Sequence, residues 1–507
     1  MAAGAIRRHL SPRHSTFLAT WLVASLIFLV LCGLWTLATP IPSGPDEPTQ
    51  YVKAAAVASG TLTGERPAGF PRGTTLVRVR GTFMLYDPST DCYYQHPEVP
   101  AGCTVLPAPD PAVRETSTYV GEYPPLYYAL TGLPSRLSTD PLARRAMRAI
   151  SAVLSAVLLG LALSTAVTWS RSRWMVVAAA FTITPTAVYL ASVLNPNGLE
   201  ISAAIAAWTA AVLLVFEHAD DPPPGLVAAF TGSSVVLVLT RPLSPLWLVC
   251  IVVALVVLRP AAARRLAATR AIRMALIATG AAAAVTAVWV VVNDSLAIEK
   301  FPMQRGLSDL QVASFILGRI PLHVRSLVGQ FGAPEFTAPA LAVLVWVVGI
   351  GALVCVAVSV AERRDAALLA LIVVGVLLVL PFVLSFPDAR NKGLAWQGRY
   401  QYPVAAGIPL IAGAILGATG VRMGRAGAIT AVAVGVGQLA TFYLVLRRYT
   451  VGLGLYANAF GRVPNGWEPP VPAAVLAGLV AVTVAVYCAW LLAGLGRPLP
   501  EEPTAPA

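Results

Sequence analysis

Residues 17–39 read FLATWLVASLIFLVLCGLWTLAT, a run of 23 residues without Asp, Glu, Lys or Arg. Because roughly 20 apolar residues cross a hydrocarbon core of about 30 Å as a helix, this run predicts a transmembrane helix. Arg7, Arg8 and Arg13 precede it, which is also typical of a cleavable signal peptide. A signal peptide has an apolar stretch of only about 7 to 15 residues, so we interpret the run as an uncleaved anchor with a cytoplasmic N-terminus.

Eleven more uncharged, apolar segments follow along the chain. Most of them reach spanning length, and the shortest can recruit flanking residues. Open strands are excluded because each unpaired backbone group in lipid costs several kcal/mol. The sequence therefore predicts an all-α polytopic membrane protein with about twelve transmembrane helices. The eleven segments are residues 149–169, 174–194, 201–216, 225–240, 243–258, 274–293, 338–361, 366–387, 403–421, 426–446 and 471–496.

The composition agrees with a chain whose main solvent is lipid. Of the 507 residues, 57% are apolar and only 12% are charged, whereas soluble domains contain about 25% charged residues. This balance argues against a cytosolic enzyme and a disordered protein. It also argues against a nucleic-acid partner, despite the net charge of +12.

The interval 124–137, PPLYYALTGLPSRL, decides the topology of everything after it. If it crossed the membrane, the later clusters of Arg would lie outside, against the excess of Lys and Arg in short cytoplasmic loops. We therefore predict an interfacial helix, which begins at the Pro pair and is shortened by Pro134. The clusters that decide this are Arg171/Arg173, Arg259/Arg264/Arg265/Arg270/Arg273, Arg363/Arg364 and Arg422/Arg425.

The resulting layout places nearly all of the hydrophilic chain on the external face of the plasma membrane. Because loops on a rigid scaffold carry function, we expect the active face to be external. In this layout the cytoplasmic tails are residues 1–16 and 497–507, helices 2–7 lie within 149–293, helices 8–12 lie within 338–496, and the external loops are 40–148, 294–337, 388–402 and 447–470.

The first external loop is long enough to have structure of its own. Residues 74–86 alternate in a strand-like way around Gly81 and predict a small β-hairpin. Cys92 and Cys103 follow, and outside the cytoplasm we expect such a pair to form a disulfide. His96 lies between them, but one His and two Cys are too few ligands for a metal site.

A pair of carboxylates, Asp46 and Glu47, follows the first predicted helix within Pro45-Asp-Glu-Pro48. An acidic residue at a helix start is stabilised by free N–H groups and by the helix dipole, so a capping role is one interpretation. A chemical role is the other.

Three motifs connect the chain to a known family. They are Pro45–Pro48, Glu122–Tyr128 (EYPPLYY) and Gln397–Pro403 (QGRYQYP), all on the predicted external face. With them the chain resembles the predicted membrane proteins of the domain of unknown function 2142 family, which is placed with the C-type glycosyltransferase (GT-C) superfamily of lipid-linked sugar transferases.

The resemblance implies an integral membrane glycosyltransferase with a GT-C-like helix arrangement. Its donor would be a sugar on polyprenyl phosphate, and its acceptor an external glycan, lipid or protein. The acceptor hydroxyl must lose a proton as it attacks, so Asp46 or Glu47 is the candidate general base. The other would orient the acceptor or help to bind a divalent cation such as Mg²⁺, Mn²⁺ or Ca²⁺.

The leaving lipid phosphate needs a positive partner. Arg399 is the first candidate because a guanidinium offers a bidentate fork to phosphate, although an interfacial anchor beside Tyr400 is an equal alternative. Arg144, Arg145 and Arg148 are a second candidate, for the phosphate or for a lipid head group. Further candidates for substrate contacts are Glu122, Tyr127, Gln397 and Tyr400.

Two positions depart from the pattern of the family. Related transferases often carry an Asp near Asn195 and Asn197, where this chain has Asn, so either Glu200 substitutes for that Asp or the chain lacks it. Gln50 stands where family members often have His.

Two other functions remain open at this stage, namely a transporter or flippase of envelope precursors and a non-catalytic envelope assembly protein. Transporters often show internal repeats and ionisable residues near the bilayer midplane. The sequence has no clear repeat and no ionisable residue inside the twelve segments, which argues against ion-coupled transport.

Overall fold

The computed structural model describes residues 12–69, 71, 73–85, 92–297, 307–332, 335–387, 389–394, 396–454, 458–461, 463–464 and 466–497. In this part of the chain, nine helices are long and apolar enough to cross a membrane, and two bent helix pairs raise the number to eleven. The predicted all-α polytopic class is confirmed. All twelve predicted segments contain helix, but three of them are not one helix of spanning length. The segment 174–194 is broken into Arg173–Phe181 and Pro185–Ser192, 225–240 forms a helix of 17 residues, and 243–258 forms a helix of 15 residues that is followed by a bend of 113°.

The elements are numbered here in chain order. The helices are α1 (Pro12–Leu37), α2 (Glu47–Ala58), α3 (Leu126–Thr131), α4 (Leu133–Leu137), α5 (Pro141–Trp169), α6 (Arg173–Phe181), α7 (Pro185–Ser192), α8 (Pro196–Phe216), α9 (Pro224–Thr240), α10 (Ser244–Leu258), α11 (Pro260–Ala268), α12 (Arg270–Val292), α13 (Asp309–Gly318), α14 (Ile320–Val328), α15 (Ala340–Val360), α16 (Arg363–Val374), α17 (Leu380–Ser385), α18 (Ala389–Lys392), α19 (Gly398–Ala405), α20 (Gly407–Ala418), α21 (Ala426–Thr450) and α22 (Ala473–Gly496). The strands are β1 (Thr75–Arg80), β2 (Val113–Thr118), β3 (Gln330–Phe331) and β4 (Phe336–Thr337).

The helices differ strongly in how much of their surface is buried. Helix α8 is buried on all sides from Pro196 to Leu214, as expected of an apolar helix at the centre of a bundle. Helix α12 is buried at only four positions, and Val285, Val288 and Val291 are exposed on its other faces. In a membrane protein such an apolar exposed surface faces lipid, so α12 lies at the periphery of the bundle.

Helices α6 and α7 form one broken span, bent by 59°. At the break, the carbonyls of Phe181, Thr182 and Ile183 have no helical partner, which lipid could not tolerate. Side chains from three later helices satisfy them: Trp346 donates to Phe181 O at 3.1 Å, Tyr402 to Thr182 O at 2.8 Å, and Gln438 to Ile183 O at 3.1 Å. The break is therefore held open by hydrogen bonds from α15, α19 and α21.

The first long loop contains the expected two-stranded antiparallel sheet, but with a different second strand. Strand β1 pairs with β2, with Thr75 opposite Thr118 and Arg80 opposite Val113. The predicted small antiparallel sheet is confirmed, but the two strands are not joined at Gly81, because residues 81–83 form a 3₁₀ turn and Gly81 N donates to Ala112 O across the sheet. Tyr86, the last residue of the predicted hairpin, lies outside the described residues.

The interval 124–137 forms the two short helices α3 and α4, of six and five residues. Each is far below the roughly 20 residues that a spanning helix needs. The described connections between spans then alternate between the two ends of the bundle. We call the end that carries Asp46, Arg241 and Arg399 the loop end. Glu217, which accepts hydrogen bonds from Ser170 and Arg171, lies at the opposite end. The membrane face on which each end lies stays a prediction.

Cys92 and Cys103 are joined by a disulfide. The segment that they enclose docks on the last turn of α21 through Arg448, which is buried and donates to Tyr93 O and Val99 O at 2.7 and 2.6 Å. Arg448 also forms an ion pair with Glu335 at 2.9 Å. The disulfide loop is therefore part of the folded loop end.

Replacing Cys92 and Cys103 by Ser is expected to lower the free energy of unfolding by about 3 kcal/mol, as chain-entropy arguments give for a loop of this length. Thermal unfolding of the purified protein measures the effect, and a reductant should have the same effect on the native protein. The control is Cys355→Ser, which removes a free thiol on α15. Equal unfolding temperatures for the double variant and the control would contradict the expectation.

Candidate active site

Glu47 and Arg148 form an ion pair that is completely enclosed by the protein. The carboxylate of Glu47, at the start of α2, accepts hydrogen bonds from Arg148 Nε and Nη2, both at 2.6 Å. Neither side chain has any exposed surface. A bidentate geometry of this kind is the strongest form of a charge-assisted hydrogen bond.

The remaining bonds of the pair connect four parts of the chain. Arg148, on α5, donates to Thr39 O at 2.9 Å and Pro40 O at 2.8 Å, just after the end of α1. A cation there satisfies free carbonyls and complements the helix dipole. Glu47 also accepts from Gly44 N at 2.8 Å and from Leu194 N, between α7 and α8, at 2.9 Å.

These contacts correct the sequence interpretation of Glu47. A general base must reach a substrate hydroxyl, and a metal ligand must offer a free oxygen. Both oxygens of Glu47 are engaged, and the side chain is sealed from solvent. Glu47 is therefore a structural residue, and Asp46 is the only member of the pair that substrate can reach. The prediction of Arg148 as a phosphate or head-group contact is wrong for the same reason, because its guanidinium is enclosed and bonded to Glu47, Thr39 O and Pro40 O.

Asp46 differs from its neighbour in backbone and in surroundings. Its φ of 56° and ψ of 13° are left-handed, which is uncommon for a residue other than glycine, and its side chain forms no capping bond with α2. Asp46 is thus the N-cap residue of α2 without a side-chain capping bond, and Glu47 is the acidic residue in the first turn. The carboxylate accepts from Tyr119 Oη at 2.6 Å and forms an ion pair with Arg399 Nη2 at 2.7 Å, and 29% of the side chain is exposed. Such backbone strain is frequent at functional sites.

Arg399 brings positive charge to this carboxylate from a residue 353 positions later in the chain. It lies at the start of α19, almost buried, and its guanidinium lies 5.2 Å from the ring centre of Tyr400. Its Nε has no hydrogen-bond partner among the described residues. The guanidinium therefore keeps a donor for another acceptor.

A second buried arginine lies against the same tyrosine. Arg241 is 5.3 Å from the ring of Tyr400 and 5.8 Å from that of Tyr123, and it forms a 2.8 Å ion pair with Glu200. Glu200 also accepts from Ser244 and Trp247. Glu200 is therefore the counter-ion of Arg241, so it is not available to replace the missing Asp of related transferases.

The sequence interpretation missed two of these residues. Tyr119 lies in no motif of the sequence, and Arg241-Pro242, between two short predicted spans, fits a tight turn or a head-group contact. Burial and the nearby Asp46 charge raise the pKa of Tyr119, so its hydroxyl stays protonated and donates to that carboxylate. Tyr119 directly follows β2, but the sequence does not show which strand β2 pairs with, and this pairing brings Tyr119 to Asp46.

The other predicted site residues have separate partners. Glu122 forms an ion pair with Arg66, and Tyr127 shares a 2.9 Å hydrogen bond with Ser151. Arg144 is buried and donates to Pro107 O at 2.6 Å, whereas Arg145 is half-buried beside it. Gln397 directly precedes α19. None of these described contacts involves Asp46 or Arg399, so their predicted substrate roles stay predictions.

The residues do not fit the divalent cation that the family resemblance allowed. Each carboxylate of the predicted pair is engaged by a guanidinium. Within the described residues, no group of three or more His, Cys, Asp or Glu side chains could hold a metal ion. Hard cations prefer several oxygen ligands, which these residues do not provide.

The Glu47–Arg148 pair and Asp46 should respond differently to loss of charge. Glu47→Gln leaves a buried arginine unpaired, which typically costs about 3–5 kcal/mol. Asp46→Asn keeps a side chain that tolerates left-handed backbone, so we expect little loss of stability. Thermal unfolding in detergent tests both variants, and an equally large loss for Asp46→Asn would contradict this assignment.

Lys53, on α2, gives the loop end a predicted pH dependence. Its amine is buried, donates to Leu62 O and Gly121 O, and has its pKa lowered by burial to about 7, although the charge of Glu122 opposes the shift. Between about pH 7 and the ordinary lysine pKa near 10.5, the unfolded chain binds more protons than the folded one. Stability from this group therefore rises with pH across that window.

The expected measurement is an unfolding temperature that rises from pH 7 to pH 9 in the native protein. Lys53→Met should flatten this rise. An unchanged slope in the variant would show that another group causes it.

Comparison with known proteins places the chain in a family. The family model of a predicted membrane protein (DUF2142) matches residues 28–408. Two solved structures of ArnT from Cupriavidus metallidurans are similar to it, each at 16% identity. The structure bound to undecaprenyl phosphate has a TM-score of 0.42 and covers 94% of this chain and 76% of that chain. The apo structure has a TM-score of 0.37 and covers 74% and 65%.

No curated protein matches the chain. The family match extends over about three quarters of the 507 residues and includes Asp46, Glu122 and Arg399. The chain therefore belongs to the DUF2142 family of predicted membrane proteins.

Proposed function

We propose that the chain is an integral membrane glycosyltransferase that moves a sugar from a polyprenyl-phosphate donor to an extracytoplasmic acceptor of the cell envelope, a glycan, lipid or protein. The contact between Asp46 and Arg399 carries this proposal. It joins a partly exposed carboxylate and a guanidinium with a free donor at one end of a membrane bundle. Sugar transfer from a lipid phosphate needs these two groups.

Asp46 is the proposed general base. The acceptor hydroxyl gives its proton to the carboxylate as its oxygen forms a bond to the anomeric carbon of the donor sugar. Tyr119 positions the carboxylate through the 2.6 Å hydrogen bond to Oδ1. Attack from the face opposite the phosphate inverts the anomeric centre.

Arg399 is the proposed partner of the leaving group. The bond between the anomeric carbon and the phosphate oxygen breaks, and its electron pair leaves with the polyprenyl phosphate. A guanidinium in a site of low polarity stabilises this growing negative charge. Arg241 packs against the same Tyr400 ring as Arg399, but Glu200 neutralises its charge, so its proposed role is to hold this ring in place.

The ion pair implies an order of binding. Without substrate, Arg399 neutralises Asp46 at 2.7 Å. A donor phosphate competes with Asp46 for this guanidinium, and its binding releases the carboxylate for the acceptor. Donor binding therefore precedes removal of the acceptor proton.

The test compares Asp46→Asn with Arg399→Gln. In cells from which the native gene is deleted, both variants should fail to make the envelope glycan product. Loss of the general base in Asp46→Asn should lower the rate about 10²- to 10⁴-fold. In purified protein the two should diverge, because Asp46→Asn frees Arg399. We expect this variant to bind undecaprenyl phosphate several-fold more tightly, and Arg399→Gln to bind it poorly.

The matched control is Asp309→Asn, which breaks an exposed ion pair with Arg390 of the same 2.7 Å length. It should leave both product and binding unchanged. A folded Asp46→Asn variant with normal glycan product would overturn the transferase proposal and favour the non-catalytic alternative.

A further inference from the structure

An apolar groove lies at membrane depth beside α19. It has a volume of about 250 Å³, and its lining is almost entirely hydrocarbon. Val347 and Cys355 of α15 line it and are exposed on the outer surface of the bundle. The groove is therefore open towards the lipid.

Two irregular points in the helical structure shape this groove. One is the break between α6 and α7, which contributes Thr182 and Thr184. The other is the π-helical turn Gly375–Val379 after α16, which contributes Leu377. π-turns inside helices are frequent at functional sites because they displace a helix face.

The groove begins close to Arg399. Tyr402, three residues later on α19, lines it, as do Ala405 and Ala406 on the next turn. Three residues of helix correspond to about 4.5 Å along the axis. A molecule with a phosphate at Arg399 and a chain directed into the membrane would thus enter the groove with its first carbons.

We infer that this groove binds the first isoprene units of the donor lipid, an inference that rests on the proposed function. An apolar cavity of about 150 Å³ holds benzene, with six carbons, so this groove has room for about two five-carbon units. Surrounding lipid is as apolar as the groove, so selectivity comes from packing of the chain against fixed side chains.

A second groove offers the competing location. It lies between α12 and the loop after α2 and is lined by Leu62, Ala284 and Trp289 among others. Its α12 wall is exposed, and Trp289 donates to Glu122 O rather than to the Asp46–Arg399 pair. It is therefore the weaker candidate for a chain attached to a phosphate at Arg399.

Gly351 provides a clean way to fill the first groove. It lines the groove, and a Cβ at this position would meet no atom within 4 Å. Gly351→Leu should therefore fill the space without disturbing the fold. Gly280→Leu on α12 is the matched control, because a Cβ there also meets nothing within 4 Å. Ala284→Leu fills the second groove.

The experiment measures binding of undecaprenyl phosphate and of methyl phosphate, which has no chain, to each protein in zwitterionic nanodiscs. Gly351→Leu should weaken binding of undecaprenyl phosphate about tenfold and leave that of methyl phosphate unchanged. Gly280→Leu and Ala284→Leu should bind both as the native protein does. Binding of dioleoyl phosphatidic acid, a lipid phosphate with acyl chains, should be weakened less by Gly351→Leu than binding of undecaprenyl phosphate.

The outcomes separate the two proposals. If undecaprenyl phosphate binds through Arg399 but Gly351→Leu has no effect, or Ala284→Leu has the effect instead, the groove inference is wrong. An equal loss of phosphatidic acid binding would also overturn it, since the groove would then accept any chain. If Arg399→Gln binds both phosphates as the native protein does, the proposed function itself fails.

Discussion

The enclosed ion pair between Glu47 and Arg148 is the constraint on which the loop end depends. Neither charge is in contact with solvent, and a buried charge without a partner is strongly destabilising, so each group needs the other at hydrogen-bond distance. The pair fixes the end of α1, the start of α2, one turn of α5 and the linker before α8 relative to one another. Asp46 is the residue before Glu47, so its left-handed backbone and outward direction follow from the position of its neighbour.

The sequence was sufficient for the helices but not for the roles of adjacent polar residues. Uncharged, apolar segments identified all twelve helical regions, most of them by spanning length alone, because lipid excludes charged residues and open strands. The sequence also brought Asp46 and Arg399 together as candidates, on the family resemblance. It could not separate Asp46 from Glu47, since two neighbouring carboxylates with the same flanking residues differ only through a partner 101 residues away, Arg148.

Long-range pairing explains the other differences between prediction and structure. β1 reads as half of a local hairpin, but its partner strand begins at Val113, and this pairing carries Tyr119 to Asp46. Arg241 reads as a turn residue because its counter-ion Glu200 and its ring contacts come from three other parts of the chain. The predicted helices also end at the first charge, whereas the real ones continue past it, which brings Glu200 and Arg148 inside helices.

The broken span α6–α7 has a consequence for the biogenesis of the protein. Its three free carbonyls receive their donors from Trp346, Tyr402 and Gln438, the last of which is synthesised more than 250 residues after Ile183. During translation this span therefore enters the membrane before the groups that make it compatible with lipid exist. It must remain in a hydrated or protein-lined environment, such as that of the insertion machinery, until the C-terminal third of the chain has emerged.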